Sequence, residues 1–402
     1  MKFEVIIFGS DANAYYLARC FHEAYNRKAR VIGAHSMSFV NHSKIVSSVF
    51  DLALWSPRHF AEWVNNYVIE IDAEKIVCIS SNETYARLLV TNRDKLDSRI
   101  VFNYVEPALL DTLIMKDKFY DTYKNSGFLP KTCVYRFDGE PEFDFGFPVV
   151  VKPADVISYG KISFEGKKKI YKAEDGAELT EILNLLKNSS YDDSVIIQEY
   201  IPGDDSALYD GVIYCNSRGK AELFAFAQIG LQEHEASMIG NAACLINGFS
   251  TMGYDEKIPL QFKDFMESID FRGFAELDIK YDSRDGKYKI MEINARQGRS
   301  SYYVAAAGYN LVEYLVDDLV YGKEKDFVLV KDELLLTYVP KGIIKKYVVN
   351  EDFKRKAMEL YREKKVYNPI IYKKDMPLKR ILFLARKQLR YYNAFKNSSW
   401  KY

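Results

Sequence analysis

The run from Gly273 to Tyr303, G-F-A-E-L-D-I-K-Y-D-S-R-D-G-K-Y-K-I-M-E-I-N-A-R-Q-G-R-S-S-Y-Y, reads as two strands joined by a tight turn. Side chains alternate along a strand, so Glu276 and Asp278 share one side while Leu277 and Ile279 take the other. By the same rule Glu292 and Asn294 share a side, with Met291 and Ile293 opposite. Arg284-Asp285-Gly286 suits a three-residue hairpin loop with glycine at the left-handed position, and counting outward from it sets Asp278 across from Glu292. Like charges facing each other across a strand pair repel. A hard cation between them removes the conflict. Two carboxylates and an amide, completed by water and phosphate oxygens, describe a magnesium–nucleotide site. The competing reading is a solvated sheet face whose acids are balanced by Lys280, Lys287 and Lys289. Against it stands Ala295-Arg296, an unusual end for a surface strand, and the rest of the chain supplies further parts of a nucleotide site.

The chain has 402 residues, 48% of them apolar, enough for two or three domains with sizeable cores. Its 56 basic and 56 acidic residues cancel, so no global field favours nucleic acid. Five scattered cysteines (Cys20, Cys78, Cys133, Cys215, Cys244) form no C-x-x-C, which argues for a reducing compartment and against a disulfide framework or a zinc site. The apolar run Phe3–Phe8 is too short for a secretory leader and reads as a strand. No apolar run approaches the length of a membrane span. A cytoplasmic protein is expected.

Residues 1–111 alternate strand and helix: strands at Val5–Phe8, Val31–Ala34, Lys75–Ser80 and Ile100–Phe102, helices at Ala14–Tyr25, Phe60–Val68 and Asn82–Val90. Such alternation predicts a doubly wound parallel sheet with ligands at the carboxyl ends of its strands, on the rim formed by Gly9, Ser10, Asp11, Ser80, Ser81 and Asn82. No G-x-G-x-x-G is present, which argues against a dinucleotide. Residues 112–200 predict a helix at Lys116–Asn125, a strand at Pro148–Val151, a helix near Ala177–Lys187 and a strand at Val195–Tyr200. Strands dominate 201–325 until the helix Leu311–Val320. Residues 326–402 read as an appended, lysine- and tyrosine-rich extension. The fold class is therefore α/β, with an α+β character in its middle parts.

Three further features accompany the hairpin. The strand before Lys152-Pro153 ends on a lysine, a natural point charge for an α- or β-phosphate. The apolar strand into Gln198-Glu199-Tyr200-Ile201 and the acids after it offer backbone groups for adenine and a carboxylate for ribose hydroxyls. Lys116-Asp117-Lys118 opens a helix. The tail, from Met376 onward, carries Lys379, Arg380, Arg386, Lys387, Arg390, Lys396 and Lys401 and no acid. Leu378, Ile381, Leu382, Ala385 and Leu389 fall at helical spacing among them. A basic amphipathic helix of this kind either packs its apolar face on the protein, lies on an anionic membrane, or attracts a phosphate-rich acceptor.

In this order and spacing the pieces resemble the ATP-grasp ligases over roughly Met1 to Val320. The resemblance implies phosphate-binding lysines at Lys118 and Lys152, an adenine-binding connector at Gln198, Glu199, Tyr200 and Ile201, and a ribose carboxylate at Asp205. It implies magnesium ligands at Asp278, Glu292 and Asn294, with Glu292 bridging two ions that Mn²⁺ can replace, and a conserved arginine at Arg296. Many members also carry a basic residue on the triphosphate between Ala225 and Gly248, where this chain has no lysine or arginine. Ser158, Tyr159 and Lys161 are then the candidates for the γ-phosphate.

The strings Gly9-Ser10-Asp11-x-Asn13, K-P-A-x-x-x-S-Y and E-I-N-A-R-Q-G-R-S resemble, more narrowly, the D-aspartate ligases of peptidoglycan cross-bridge synthesis. That likeness implies an acyl phosphate on the side-chain carboxylate of D-aspartate and its transfer to the lysine ε-amine of a UDP-linked or lipid-linked peptide. No enzyme nucleophile is needed, and Arg296 would stabilise the tetrahedral oxyanion, with Lys152 on the transferring phosphoryl group. Ser10, Asp11, Asn13, Arg299 and Ser300 are the candidate substrate contacts. Two other roles compete: Asp11 or Ser10 as a helix cap, and Arg299 paired to an internal acid.

Overall fold

A computed structural model describes residues 1–402 except 235–237, 239 and 399–402, so Lys401 of the basic tail lies outside the described residues; of Val156 and Ile157 only the backbone is described. The chain divides into two compact units. One comprises Met1–Pro107, Asp204–Leu277 and Asn294–Tyr402, the other Ala108–Gly203 and Asp278–Ile293. The hairpin of the opening stretch, Gly273–Asp282 and Lys287–Asn294, carries the chain out of the first unit at Asp278 and back into it at Asn294. Gly286 adopts φ +70°, the left-handed conformation expected of it.

In the first unit, five parallel strands stand in the order Val46–Phe50, Ala29–Gly33, Phe3–Phe8, Lys75–Ser80, Ile100–Val101. The order reverses at Phe3–Phe8, so Gly9-Ser10-Asp11 and Ser80-Ser81-Asn82 lie at the switch point where such sheets bind ligands. The helix Ala12–Tyr25 is buried on several faces: Tyr15, Tyr16, Leu17, Ala18 and Phe21 are all fully buried, with Tyr15 on Asp375 and Tyr16 on Gly298 O. The strand Val46–Phe50 was not expected. It is an edge strand with Ser47, Ser48 and Val49 exposed, so it shows none of the alternation that marks a half-buried strand.

A larger sheet runs Lys287–Asn294, Gly273–Asp282, Leu208–Cys215, Ala221–Gln232, Ala242–Asn247, Leu334–Thr337, Val366–Tyr367, with Val328–Val330 beside Ala221–Gln232. The residues read as an appended extension thus supply three of its strands; Leu334–Thr337 is buried throughout and paired along both edges, with Ala242–Asn247 and Val366–Tyr367. The helix Lys257–Ser268, absent from the expectations, buries Pro259, Phe262, Phe265 and Met266 on one stripe.

In the second unit, four antiparallel strands stand in the order Thr132–Tyr135, Val195–Glu199, Val149–Pro153, Tyr171–Ala173. Val149, Val151, Val195 and Ile197 are fully buried and, with Leu183 and Leu186 of the helix Gly176–Lys187, form its core. A second device holds this unit together. Lys289 Nζ donates to Asp282 Oδ2 (2.7 Å) and Glu199 Oε1 (3.0 Å), while Arg284 donates to Asp282 and to Glu199 Oε2 (2.6 Å). Asp282 is fully buried, and these donors, Arg284 first, hold its carboxyl far below the usual range.

Candidate active site

In the second unit, register places Lys152 beside Ile196 and Gln198 beside Val150 on neighbouring antiparallel strands. Lys152 Nζ donates to Gln198 Oε1 (2.9 Å), and Gln198 Nε2 donates to Thr132 Oγ1 (2.9 Å), so the buried amide is fixed in one orientation. Lys116, the first residue of the helix Lys116–Tyr123, pairs with Glu292 Oε1 at 2.9 Å. Burial, aided by the like charges of Lys116, Lys280 and Lys169, pushes the Lys152 ammonium down to about 7. Burial alone would raise the Glu292 carboxyl, yet Lys116, Lys152 and Lys169 outweigh it and hold the group below its ordinary value. Tyr120 sits among these groups. Its hydroxyl donates to Met291 O (2.7 Å), and burial, with Glu292 and Asp278 nearby, keeps the phenol neutral.

Lys152 feels the like charges of Lys116, Lys280 and Lys169 and the opposite charge of Glu292, while Glu292 and Asp278 both act on Tyr120. Lysines set beside a carboxylate suit phosphate oxygens, which the ammonium groups can take while the carboxylate holds a cation. The Lys116 ammonium on Glu292 shows that this carboxylate accepts a cation. Among the described residues no three His, Cys, Asp or Glu side chains gather as a metal cage. Two carboxylates and an amide need oxygens from elsewhere, which is how magnesium is held beside phosphates. The residues therefore fit a magnesium–nucleotide.

In the first unit, Asn294 and Arg296 follow directly in the chain. Arg296 donates through one nitrogen to Asn294 Oδ1 (3.3 Å) and through another to Gln297 O (3.2 Å), with Glu276 and Glu83 both at 3.5 Å. Glu276 is buried and accepts from Ser300 Oγ (2.7 Å), whose hydroxyl also reaches Asp210. Between these runs Gly298, where a Cβ would lie 1.6 Å from Glu276 Oε1, so any side chain there displaces the Glu276 carboxylate from Ser300 and Arg296.

The remaining expected residues lie as follows. Lys118 pairs with Asp111 near the surface, while the lysine that reaches Glu292 is Lys116. Glu199 is held by Arg284, Lys289 and the Lys131 amide, so its side chain is structural, and its own amide donates to Lys131 O (3.0 Å). The Tyr200 ring lies under the Lys172 and Lys280 ammonium groups, and Ile201 is buried. Both oxygens of Asp205 accept from Gln232, at 2.7 and 2.6 Å. Ser158 Oγ donates to Asp155 O (3.3 Å), and Tyr159 is buried in the core with its hydroxyl on Lys168 O. Asp11 caps the helix Ala12–Tyr25 by accepting from the amides of Asn13 and Ala14, both at 3.0 Å. Ser10 donates to His35 O, and Asn13 to Ser81 O. Arg299 is buried and ion-paired to Glu233 Oε1 at 2.6 Å, the internal-acid alternative. Sequence reading passed over Lys116, Tyr120 and Glu233. The first stood two residues from a better-known position, and only tertiary contacts mark the other two.

In the tail helix, Leu378–Asn397, the apolar stripe read from the sequence is not the face that packs on the protein. Its packed face is Arg380, Leu384, Tyr391 and Phe395, whereas Leu378, Leu382 and Leu389 are 72, 50 and 67% exposed. A buried arginine counts as polar in a periodicity argument, so the packed face does not stand out in the sequence. Arg380 is fully buried over the Tyr15 ring (3.6 Å), 3.4 Å from Asp375, and donates to the carbonyls of Phe39 and Ile370.

The architecture and this site define the ATP-grasp fold. Three solved structures share it at identities that speak to fold alone. The L-amino acid ligase of Bacillus licheniformis matches with TM-score 0.54 and 13% identity over 79% of this chain and 74% of that one. N5-carboxyaminoimidazole synthetase of Staphylococcus aureus gives 0.58 and 13% over 83% and 82%. The biotin carboxylase domain of Hydrogenobacter thermophilus 2-oxoglutarate carboxylase, solved with MgADP and bicarbonate, gives 0.56 and 16% over 81% and 71%. No family model matches the chain. A D-aspartate ligase of Enterococcus faecium is 30% identical over 410 aligned residues, 98% of this chain and 96% of the relative. The chain belongs to the D-aspartate ligase family of ATP-grasp carboxylate–amine ligases, ADP-forming enzymes that make C–N bonds.

Proposed function

We propose that the protein joins the side-chain carboxylate of D-aspartate to the lysine ε-amine of a UDP-linked or lipid-linked peptidoglycan precursor, using ATP and magnesium in the cytoplasm. The near-full-length likeness to a D-aspartate ligase carries this reading. The γ-phosphoryl group passes from ATP to the carboxylate, releasing ADP and leaving an acyl phosphate. The amine then attacks the acyl carbon, loses a proton, and phosphate departs. Lys116 and Lys152 bind and neutralise the phosphate oxygens, with Lys118 and Ser158 as further contacts. Gln198 fixes the Lys152 ammonium, and the backbone from Glu199 through Tyr200 to Ile201 takes the adenine, with Asp205 at the ribose. Asp278, Glu292 and Asn294 would hold two magnesium ions, or manganese in their place; these supply charge neutralisation and alignment of the transferring group. Arg296, already held beside Asn294, stabilises the oxyanion of the acyl-transfer step. Ser10, Asp11, Asn13 and Ser300 line the way for the amino acid.

The internal pairing of Arg299 with Glu233 favours, as a second reading, a ligase of the same chemistry for an acid with no second carboxylate to hold. One assay separates the two. Incubation with ATP, Mg²⁺, hydroxylamine and a panel of D- and L-amino acids traps any acyl phosphate as a hydroxamate. D-aspartyl hydroxamate supports the first reading, another hydroxamate the second. ATP with no trapped product from any acid sinks both. No helix among the described residues is long and apolar enough to cross a membrane.

A further inference from the structure

The first unit contains a cavity of about 750 Å³ that shares Asp11 and Asn13 with the path proposed for the amino acid and extends from them to the tail helix, which that chemistry does not use. Its walls include Asp11 and Asn13 at the start of the first helix, Ser38 and Phe39, and four cations of the tail helix: Lys379, Arg386, Lys387 and Arg390. At about 100° per residue, Lys379, Arg386 and Arg390 fall within about 40° of one another on the helix, so they form one stripe. Arg386 and Arg390 are one turn apart, the spacing at which like charges repel. No acid stands in the sequence from Met376 onward to relieve them. Among the described residues no carboxylate pairs with Lys379, Arg386 or Arg390, whereas the buried Arg380 of the same helix has Asp375 and Arg299 across the cavity has Glu233. Asp11 is the single acid on the cavity wall, one charge against the cations of the tail helix, and its Oδ1 accepts from the amides of Asn13 and Ala14. The cavity volume is that of a small-molecule site.

We infer that this cavity is the binding site for the diphosphate of the amine acceptor, with Arg386 and Arg390 closing on adjacent phosphoryl groups and Lys379 and Lys387 flanking them. Guanidinium forks are the residues of choice for phosphate oxygens, and two on one helix face match a diphosphate better than a single carboxylate. Phe39 and Phe383 give an apolar wall for whatever the diphosphate is attached to, a nucleoside or a lipid. The identity of the ligand as acceptor rests on the ligase reading; the diphosphate site does not.

Calorimetric titration of the full chain, with ADP and Mg²⁺ present at saturation, tests this with two probes, uridine diphosphate and farnesyl diphosphate. Binding of either is expected, with uridine diphosphate alone indicating a nucleotide-linked source and farnesyl diphosphate alone a lipid-linked one. Arg386→Ala/Arg390→Ala should weaken it by about tenfold for each fork removed, and Arg386→Lys/Arg390→Lys should restore part of the loss. Thermal melting of both variants shows whether they fold. Affinity that is equal in wild type and the alanine variant overturns the inference. So does binding to neither probe, or capture by anionic phospholipid vesicles without affinity for either, which would make the helix a membrane-docking surface. The prior ADP titration reads the nucleotide site by itself, so its failure would count against the ligase reading and not against this cavity.

Discussion

Single side chains decide the chemistry. Glu292 is half-exposed, and the lysines around it hold its carboxyl below the ordinary value against partial burial. Glu292→Gln removes the charge with little change of shape, and ADP formation should fall below detection even at saturating magnesium; turnover near wild type would remove Glu292 from the metal site. Lys152→Met should lower kcat by about 100- to 1,000-fold, the usual loss for one group on a transferring charge, read in a coupled ADP assay. Gly298 is a different case. A methyl group there meets the Glu276 carboxylate head-on, so Gly298→Ala should cost about 3 kcal/mol of stability, visible as a lowered melting temperature. The sequence exposed the acids of the hairpin through alternation, and it exposed Gly298 only as a letter. Nothing local tells that a carboxylate 22 residues upstream lies against it.

Whole elements were legible to the degree that their apolar residues repeat. Phe60–Val68 and Lys75–Ser80 fall where the pattern set them. The edge strand Val46–Phe50 was illegible because its side chains meet water on both faces. The hairpin's turn is stabilised by a buried ionic network, and this gives a pH prediction. Asp282 has a folded pKa far below the ordinary value, so its contribution is full above about pH 4 and drains away as pH falls further, toward the lowered folded value. Chemical denaturation between pH 6 and pH 2 should show a loss concentrated below pH 4. Lys289→Met should be less stable throughout and lose less on acidification. In the tail helix, Arg380→Ala leaves Asp375 buried with fewer donors and opens a hole beside Tyr15. A loss of about 3–5 kcal/mol is expected in urea titrations, as for other broken buried pairs.

At the scale of the molecule, ligand binding reports on folding. ADP with magnesium at 100 times its Kd should add about 2.7 kcal/mol to the unfolding free energy, and chelation with EDTA should remove much of that gain. The order of the pieces, from a doubly wound start through an antiparallel middle to the acidic hairpin, was visible in the sequence because each has its own period of apolar residues. The role of residues 326–402 was not. Their strands are short, and their partners, Ala221–Gln232 and Ala242–Asn247, lie some hundred residues earlier. The fully buried Asp375 accepts from Tyr15, from Ser43 and from the Lys44 amide, and Arg380 lies over Tyr15. Contacts of such sequence separation have a kinetic meaning. On the ribosome Tyr15 must wait, uncovered, while the 360 residues that separate it from Asp375 are made. During that interval the helix Ala12–Tyr25 shows an apolar face that its final partners do not yet cover, the kind of surface through which incomplete chains aggregate.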